Sequence, residues 1–167
     1  MNETLMRAIF DGDLAGFDAA VQQGADLSAV TKTEHWNLLH RALVSVNLPL
    51  SPAIIGRLIT LGVDMDARDR EGYTPLHFAA RARRIEIVRM LLDARAEIDP
   101  VNKEGSTPLR LALTTKPADA ALVELLLQRG ADMDQKPPGG LSARQYAEAV
   151  CRGAQHVIVD LFDHYSR

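Results

Sequence analysis

Apolar positions along the chain recur in a compound rhythm. LMRAI (5–9), LHRAL (39–43), LHFAA (76–80) and LRLAL (109–113) align in one column; their leading residues Leu5, Leu39, Leu76 and Leu109 stand 34, 37 and 33 residues apart. A degraded copy, RQYAE, begins 35 residues further on at Arg144. Each strong copy is followed by a second apolar cluster that runs into a turn: AAVQQGADL, RLITLGVDM, MLLDARAEI and LLLQRGADM. In the third copy Leu76, Ala79 and Ala80 share one face at helical spacing, and Ile87, Val88, Leu91 and Leu92 form the stripe of a second helix. The unit is therefore helix, loop, helix, turn, and its small alanines allow close helix approach. One such pair cannot bury its own apolar stripe, so the units are expected to stack into a single domain over 1–167. Their bounds fall at about 2–32, 33–68, 69–101, 102–136 and 137–167.

Local punctuation agrees with this division. Thr74 before Pro75 reads as a capping hydroxyl followed by proline at the first helical position, where its missing N–H costs nothing. Gly24, Gly62 and Gly130 fall just past the second helices, where a left-handed residue commonly ends a helix. Arg95 occupies the same slot, so either a non-glycine residue takes positive φ there or the turn is remodelled. The second unit gains a loop, Asn47-Leu48-Pro49-Leu50-Ser51-Pro52, with Ser51 placed to cap. The fourth gains Lys116-Pro117-Ala118-Asp119, with Asp119 as the candidate cap, and Pro137-Pro138-Gly139-Gly140 reads as a stiffened finger rather than a linker.

With DREGYTPLHFAA (69–80), NKEGSTPLRLAL (102–113) and the GVDMD and ADMD turns in view, the chain resembles the ankyrin-repeat family over essentially its whole length. The resemblance implies an all-α solenoid of about five stacked helix-turn-helix units with short β-hairpin fingers. In it, fingers and first helices form a concave face that binds other proteins without enzymatic activity. The first unit, which lacks a finger, and the last, GLSARQYAEAV with HVIVDLFDHY, then correspond to terminal caps. Carried over slot by slot, the face holds Trp36, Val44 and Ser45, then Arg70, Glu71, Tyr73, Arg81 and Ala82. Lys103, Glu104, Ser106, Thr114 and Thr115 follow, and then Leu141, Ala149 and Val150. Arg83 and Arg84 replace the Gly-His that usually joins the two helices. The partner-binding set expected from these positions is Trp36, Arg70, Glu71, Tyr73, Arg81, Arg83, Arg84, Lys103 and Ser106. Trp36 and Tyr73 share a finger column; Tyr73 suits an interface anchor, whereas Trp36 either does the same or plugs the end of the finger row where no first finger exists.

Composition narrows the classes further. Of 167 residues, 47% are apolar and 25% charged, an ordinary globular balance. No run reaches the roughly 18 consecutive apolar residues that span a bilayer, and MNETLMRAIFDGD is too polar for a signal peptide, so a cytoplasmic protein without membrane contact is expected. A single cysteine, Cys151, excludes an internal disulfide. The net charge of -3 argues against a nucleic-acid partner. Charge is uneven, however. Residues 68–95 hold seven arginines against Asp69, Glu71, Glu86 and Asp93, while the first thirty hold Arg7 against Glu3, Asp11, Asp13, Asp18 and Asp26. The arginines point to a partner with an acidic patch, the alternative being a solvated charged face.

Catalytic signatures are missing: there is no GxGxxG, GxxxxGK, HExxH or GxSxG. His40 and His77 share a slot, which suits structural hydrogen bonds between units better than a duplicated active site. His156, Asp160 and His164 lie one turn apart on the last helix, opposite the buried stripe of Val157, Ile158, Leu161, Phe162 and Tyr165, and read as its solvated side rather than a metal site. Cys151 has Arg152 beside it but no histidine in a nucleophile arrangement. No catalytic residue, cofactor or metal is therefore expected, and the free protein is expected to be monomeric. The turns, with Asp where Asn is usual, are similar to those of stand-alone bacterial members, some of which are immunity proteins that neutralise secreted toxins. A regulatory or scaffold adaptor holding an acidic peptide is the alternative, and a metal-dependent protein using His156, Asp160 and His164 is a third.

Overall fold

Two kinds of helix alternate along the chain, and each is set by its own sequence. In the computed structural model, which describes residues 2–44, 51–114, 117–137, 140–150 and 156–166, the pairs are α1 (Glu3–Asp11) with α2 (Leu14–Gln22), α3 (Leu38–Val44) with α4 (Pro52–Thr60), and α5 (Pro75–Arg81) with α6 (Ile85–Asp93). They continue with α7 (Pro108–Thr114) and α8 (Ala120–Gln128), then α9 (Ala143–Val150) and α10 (His156–His164). The first helix of each later pair packs on its counterparts, α3 on α5, α5 on α7 and α7 on α9, while α2, α4, α6, α8 and α10 pack in a second row. The fold is thus all-α, ten helices among the described residues stacked as about five pairs.

The repeated leucines are the reason the rows form. Leu5, Leu39, Leu76 and Leu109 are all fully buried, and the alanine three residues after each, Ala8, Ala42, Ala79 and Ala112, lets the next helix approach closely. From the second row Ile55 and Leu58, Val88 and Leu91, and Val123 and Leu126 close the same continuous core. Each buried leucine contributes about 1.5–3 kcal/mol relative to exposure, and because each pair touches only its neighbours, these terms add along the stack.

Helix starts follow the sequence closely. Asp119 accepts from the Leu122 N–H at 3.3 Å, and Asn2 and Asp13 cap α1 and α2 in the same way. Ser51 does stand at the start of α4 before Pro52, but its hydroxyl makes no capping bond; its carbonyl instead takes the N–H groups of Ile54 and Ile55. At the turn after α6 the left-handed alternative holds: Arg95 has φ 73°, beside 83°, 79° and 88° at Gly24, Gly62 and Gly130. Its turn keeps the same closing bonds, Arg95 N–H to Leu92 and Ala96 N–H to Leu91, both 3.0 Å. Keeping a side chain there costs about 1 kcal/mol.

The fingers differ from the expected hairpins. Among the described residues no strands pair; each finger is a tight turn. In the third, Asp69 N–H bonds the Tyr73 carbonyl at 2.9 Å, Gly72 N–H bonds the Asp69 carbonyl at 2.9 Å, and the Asp69 carboxylate accepts the Tyr73 N–H at 2.8 Å. Asn102 repeats this arrangement in the fourth finger, accepting the Ser106 N–H at 2.8 Å. A side chain thereby takes the amide a hairpin ladder would use. Successive fingers are joined by one backbone bond each, Arg70 N–H to the Glu34 carbonyl at 2.8 Å and Lys103 N–H to the Glu71 carbonyl at 2.9 Å. Contact is close enough that a Cβ on Gly72, itself at φ 80°, would sit 3.2 Å from the Asn102 Cα. Pro138 and Gly139 of the last finger, residues 47–50 of the α3–α4 loop and Lys116 lie outside the described residues.

Candidate protein-binding face

Two buried histidines fix the fingers over the first helices. His77 on α5 reaches the Ser106 carbonyl through Nε2 at 2.9 Å, and its Nδ1 faces the Thr74 N–H at 3.0 Å. A carbonyl can only accept and an amide N–H can only donate, so the ring is neutral with its proton on Nε2. Burial, the dominant cause, holds its pKa down at about 4. His40 on α3 does the same for the Tyr73 carbonyl at 2.9 Å, and burial lowers its pKa too. Both histidines are thus structural ties between adjacent units, as their shared slot suggests.

Around these ties the expected face divides. Trp36, half-buried, is turned forward onto the third finger: its Nε1–H donates to Asp69 at 3.1 Å and its ring meets Phe78 edge-on at 5.9 Å. Neither a bare anchor nor a plug behind the second finger describes it. Tyr73 also meets Phe78 edge-on, at 6.0 Å, and its hydroxyl donates to Glu104 at 3.0 Å. The exposed Arg81 lies over both rings, 5.4 Å from Tyr73 and 5.0 Å from Phe78. Arg70 is exposed on the same finger, and Glu71 and Lys103 face each other at 3.9 Å. Trp36, Arg70, Glu71, Tyr73, Arg81 and Lys103 are therefore brought together on the fingers and on α5.

Three members of the expected set stand apart. Arg83 is drawn to the rim at the helix bend, 3.5 Å from Asp119 of the next pair, with its backbone left-handed at φ 56°. Arg84 stands at the start of α6 beside a shallow groove shared with Pro52 and Ile85–Ile87. Ser106 is half-buried, and its backbone carbonyl is taken by His77 and Asn102. The cationic cluster inferred from the Arg81–Arg84 run is thus split between the face and the rim, because the bend turns the chain between Arg81 and Arg84.

Some features of the face went unread in the sequence. Arg41 on α3 lies over the Phe10 ring of α1 at 5.1 Å, and Arg110 lies over Tyr146 of α9 at 3.8 Å. Arg110 fills the slot held by His40 and His77, and burial lowers its pKa. Glu34, Glu71 and Glu104 occupy one slot in three successive fingers, a column visible on alignment of TEHW, REGY and KEGS. Thr114 is exposed, Leu141 and Val150 are exposed apolar side chains at 44% and 45%, and Val44 is half-buried against the core. Ser45, Thr115, Cys151 and Arg152 lie outside the described residues. His156, Asp160 and His164 are exposed on α10, and no three metal-ligating side chains converge among the described residues.

The profile of the ankyrin repeats (3 copies) family matches residues 5–100 and 44–137, so the chain belongs to the ankyrin-repeat family. It is similar to an ankyrin repeat protein of Fowlpox virus (31% identity over 116 residues, 70% of this chain and 23% of the relative). Similar too are the B-cell lymphoma 3 protein of Homo sapiens (31% over 134 residues, 76% and 28%) and the Zygote-specific protein 3 of Chlamydomonas reinhardtii (38% over 109 residues, 65% and 28%). The chain spans about a quarter of the length of these relatives. Ankyrin repeats are protein-binding modules and are typically non-enzymatic. No helix among the described residues is long and apolar enough to cross a membrane.

Proposed function

We propose that this chain is a non-enzymatic module that grips one partner protein on the face built from its second to fourth fingers and helices α3 and α5, through an acidic surface of that partner. The observation that carries this reading is Arg81, an exposed guanidinium already laid over Tyr73 and Phe78 at 5.4 and 5.0 Å. A stacked guanidinium keeps its hydrogen-bonding edge free for a carboxylate and has lost much of its rotamer freedom before binding, which lowers the entropy cost of association. In its narrower form the partner is a secreted toxin domain and the chain a cytoplasmic, stand-alone immunity protein of bacterial type. The opposed local charges of residues 1–30 and 68–95 support charge-steered capture of that kind. The adaptor reading draws support from the 350 Å³ groove between the second and third fingers, lined by Thr33, Glu34, Trp36, Asp69, Arg70 and Glu71, which is sized for side chains of a peptide.

Affinity for the protein that co-purifies with the tagged chain tests the face. Tyr73→Ala is expected to weaken binding by about 2 kcal/mol or more, as interface anchors do, and Arg81→Glu to weaken it more at low salt than at high. Arg89 on α6, exposed and on the other row, is the control for charge reversal. Arg144 is unsuitable because it holds Asp134 through two bonds of 2.8 and 3.0 Å. Loss at Arg89 with none at Tyr73 and Arg81 would place the contact on the second helices. A nanomolar complex fits the toxin reading, a micromolar one the adaptor.

A further inference from the structure

Among the described residues, three other than glycine hold left-handed backbone: His35 at φ 61°, Arg83 at 56° and Arg95 at 73°. Glycine holds the matching slot elsewhere, Gly72 and Gly105 for His35 and Gly24, Gly62 and Gly130 for Arg95, while Arg83 is matched by glycine in the first unit alone, at Gly12. The chain is thus its own control, since glycine serves these turns without strain. Arg83 is matched inside the fold by its ion pair with Asp119. His35 has no such match: its side chain is exposed and, among the described residues, its ring has no hydrogen-bond or ion-pair partner. Its slot is also the crowded one, since at Gly72 an added Cβ would lie 3.2 Å from the backbone of the next finger.

The neighbours of His35 define what it can receive. The acids around the finger groove are already engaged. Asp69 accepts from Trp36 Nε1 and from the Glu71 and Tyr73 amides, Glu34 from the Thr33 hydroxyl, and Glu104 from the Tyr73 hydroxyl, while Glu71 faces Lys103. Among the described residues, the side-chain donors left without an acceptor at the tips of the second and third fingers are the Lys32 ammonium, the His35 ring and the Arg70 guanidinium, of which His35, next to Glu34, and Arg70 adjoin the bond from Arg70 N–H to the Glu34 carbonyl that ties the two fingers. Resting on the concave-face reading, we infer that His35 and Arg70 form a two-residue seat for a carboxylate side chain of the partner protein, and that the strain at His35 is kept because its ring is needed there. Imidazole N–H and guanidinium are complementary to a single carboxylate, which has acceptor sites on both oxygens.

The test separates strain from recognition. His35→Gly is expected to raise the melting temperature by about 2–4 °C, as relief of left-handed strain should in a domain of this size, while His35→Asn keeps a residue that tolerates the conformation and removes the ring. Binding is read by NMR titration with end-blocked Glu-Glu-Glu and, as its neutral counterpart, Gln-Gln-Gln. The inference predicts that Glu-Glu-Glu perturbs the His35 ring and Arg70 side-chain signals, that Gln-Gln-Gln does not, and that His35→Gly, His35→Asn and Arg70→Gln each weaken the effect at least fivefold. Unchanged binding in either His35 variant overturns it. If the acidic peptide perturbs Arg81 and Arg41 alone, the seat falls while the proposed face stands; if it perturbs neither region, both fall.

Discussion

Leu76→Ala is expected to lower the stability of the folded chain by about 2–5 kcal/mol and its melting temperature by about 10 °C. Leu76 is fully buried on α5, which packs at once against α3, α6 and α7, so the truncation opens a void at the junction of three pairs. Its neighbours in the stack, Leu39 and Leu109, are equally buried and already in contact with the rest of the core, which leaves little slack for the hole to close. Against a typical total of about 5–15 kcal/mol such a loss is a large fraction. Urea unfolding followed by circular dichroism checks it. Because stability in a stack is a sum of neighbour interfaces, the variant is also expected to broaden the transition as the two halves uncouple. A shift of less than about 1 kcal/mol would mean that the leucine column does not carry the fold.

Acidification is the second large effect. The unfolded ring of His77 takes up its proton near pH 6.5, whereas burial holds the folded ring at about 4. Between those values the unfolded chain binds more protons, so the stability linked to His77 is whole above about pH 6.5 and drains as pH falls toward 4. The loss amounts to about 3 kcal/mol by the lower limit. Geometry explains why this histidine dominates. Protonating its Nδ1 would turn an acceptor faced by two Thr74 donors, the backbone N–H and the hydroxyl, both at 3.0 Å, into a donor that only the hydroxyl, once rotated, could meet. His40 shifts in the same direction, yet its Nδ1 lies 2.8 Å from the Asn37 side-chain oxygen, which can receive the extra proton. Melting temperature measured from pH 8 to pH 4 is therefore expected to fall chiefly below 6.5. His77→Gln should start lower at pH 8 but show a flatter slope, whereas His40→Gln should change the slope less. Equal slopes in wild type and His77→Gln would remove His77 from the account.

What the sequence made legible is what repetition makes legible. The leucine and alanine columns, the Asp119 cap and the tie made by His40 and His77 all follow from comparing a slot with its counterparts, and the structure places each as expected. The same comparison would have exposed His35 in a glycine slot, Arg110 in a histidine slot and the glutamate column of the fingers. His35 and the finger glutamates lie just outside the TPLH stretch of residues 74–77 and its counterparts, whereas Arg110 stands at its fourth position, in TPLR (107–110). Arg83 is different in kind. Its partner, Asp119, stands 36 positions away at the end of an irregular loop, and nothing local in Arg81–Arg84 indicates that the bend sends neighbouring arginines to separate surfaces. The forward turn of Trp36 onto Asp69 likewise depends on how two fingers stack, which no single finger encodes. Partner identity is the least legible, since a recognition face is specified jointly with a surface that this chain does not contain.

Hydrogen exchange of the chain with and without its co-purifying protein tests the central claim most directly. Fast-exchanging amides at the finger tips, residues 32–36, 69–73 and 102–106, and at the exposed ends of α3 and α5 are expected to slow in the complex, while those of α4, α6 and α8 keep their free rates. Protection confined to α4, α6 and α8, or to the α9 and α10 pair, with the finger tips unchanged, would contradict the account.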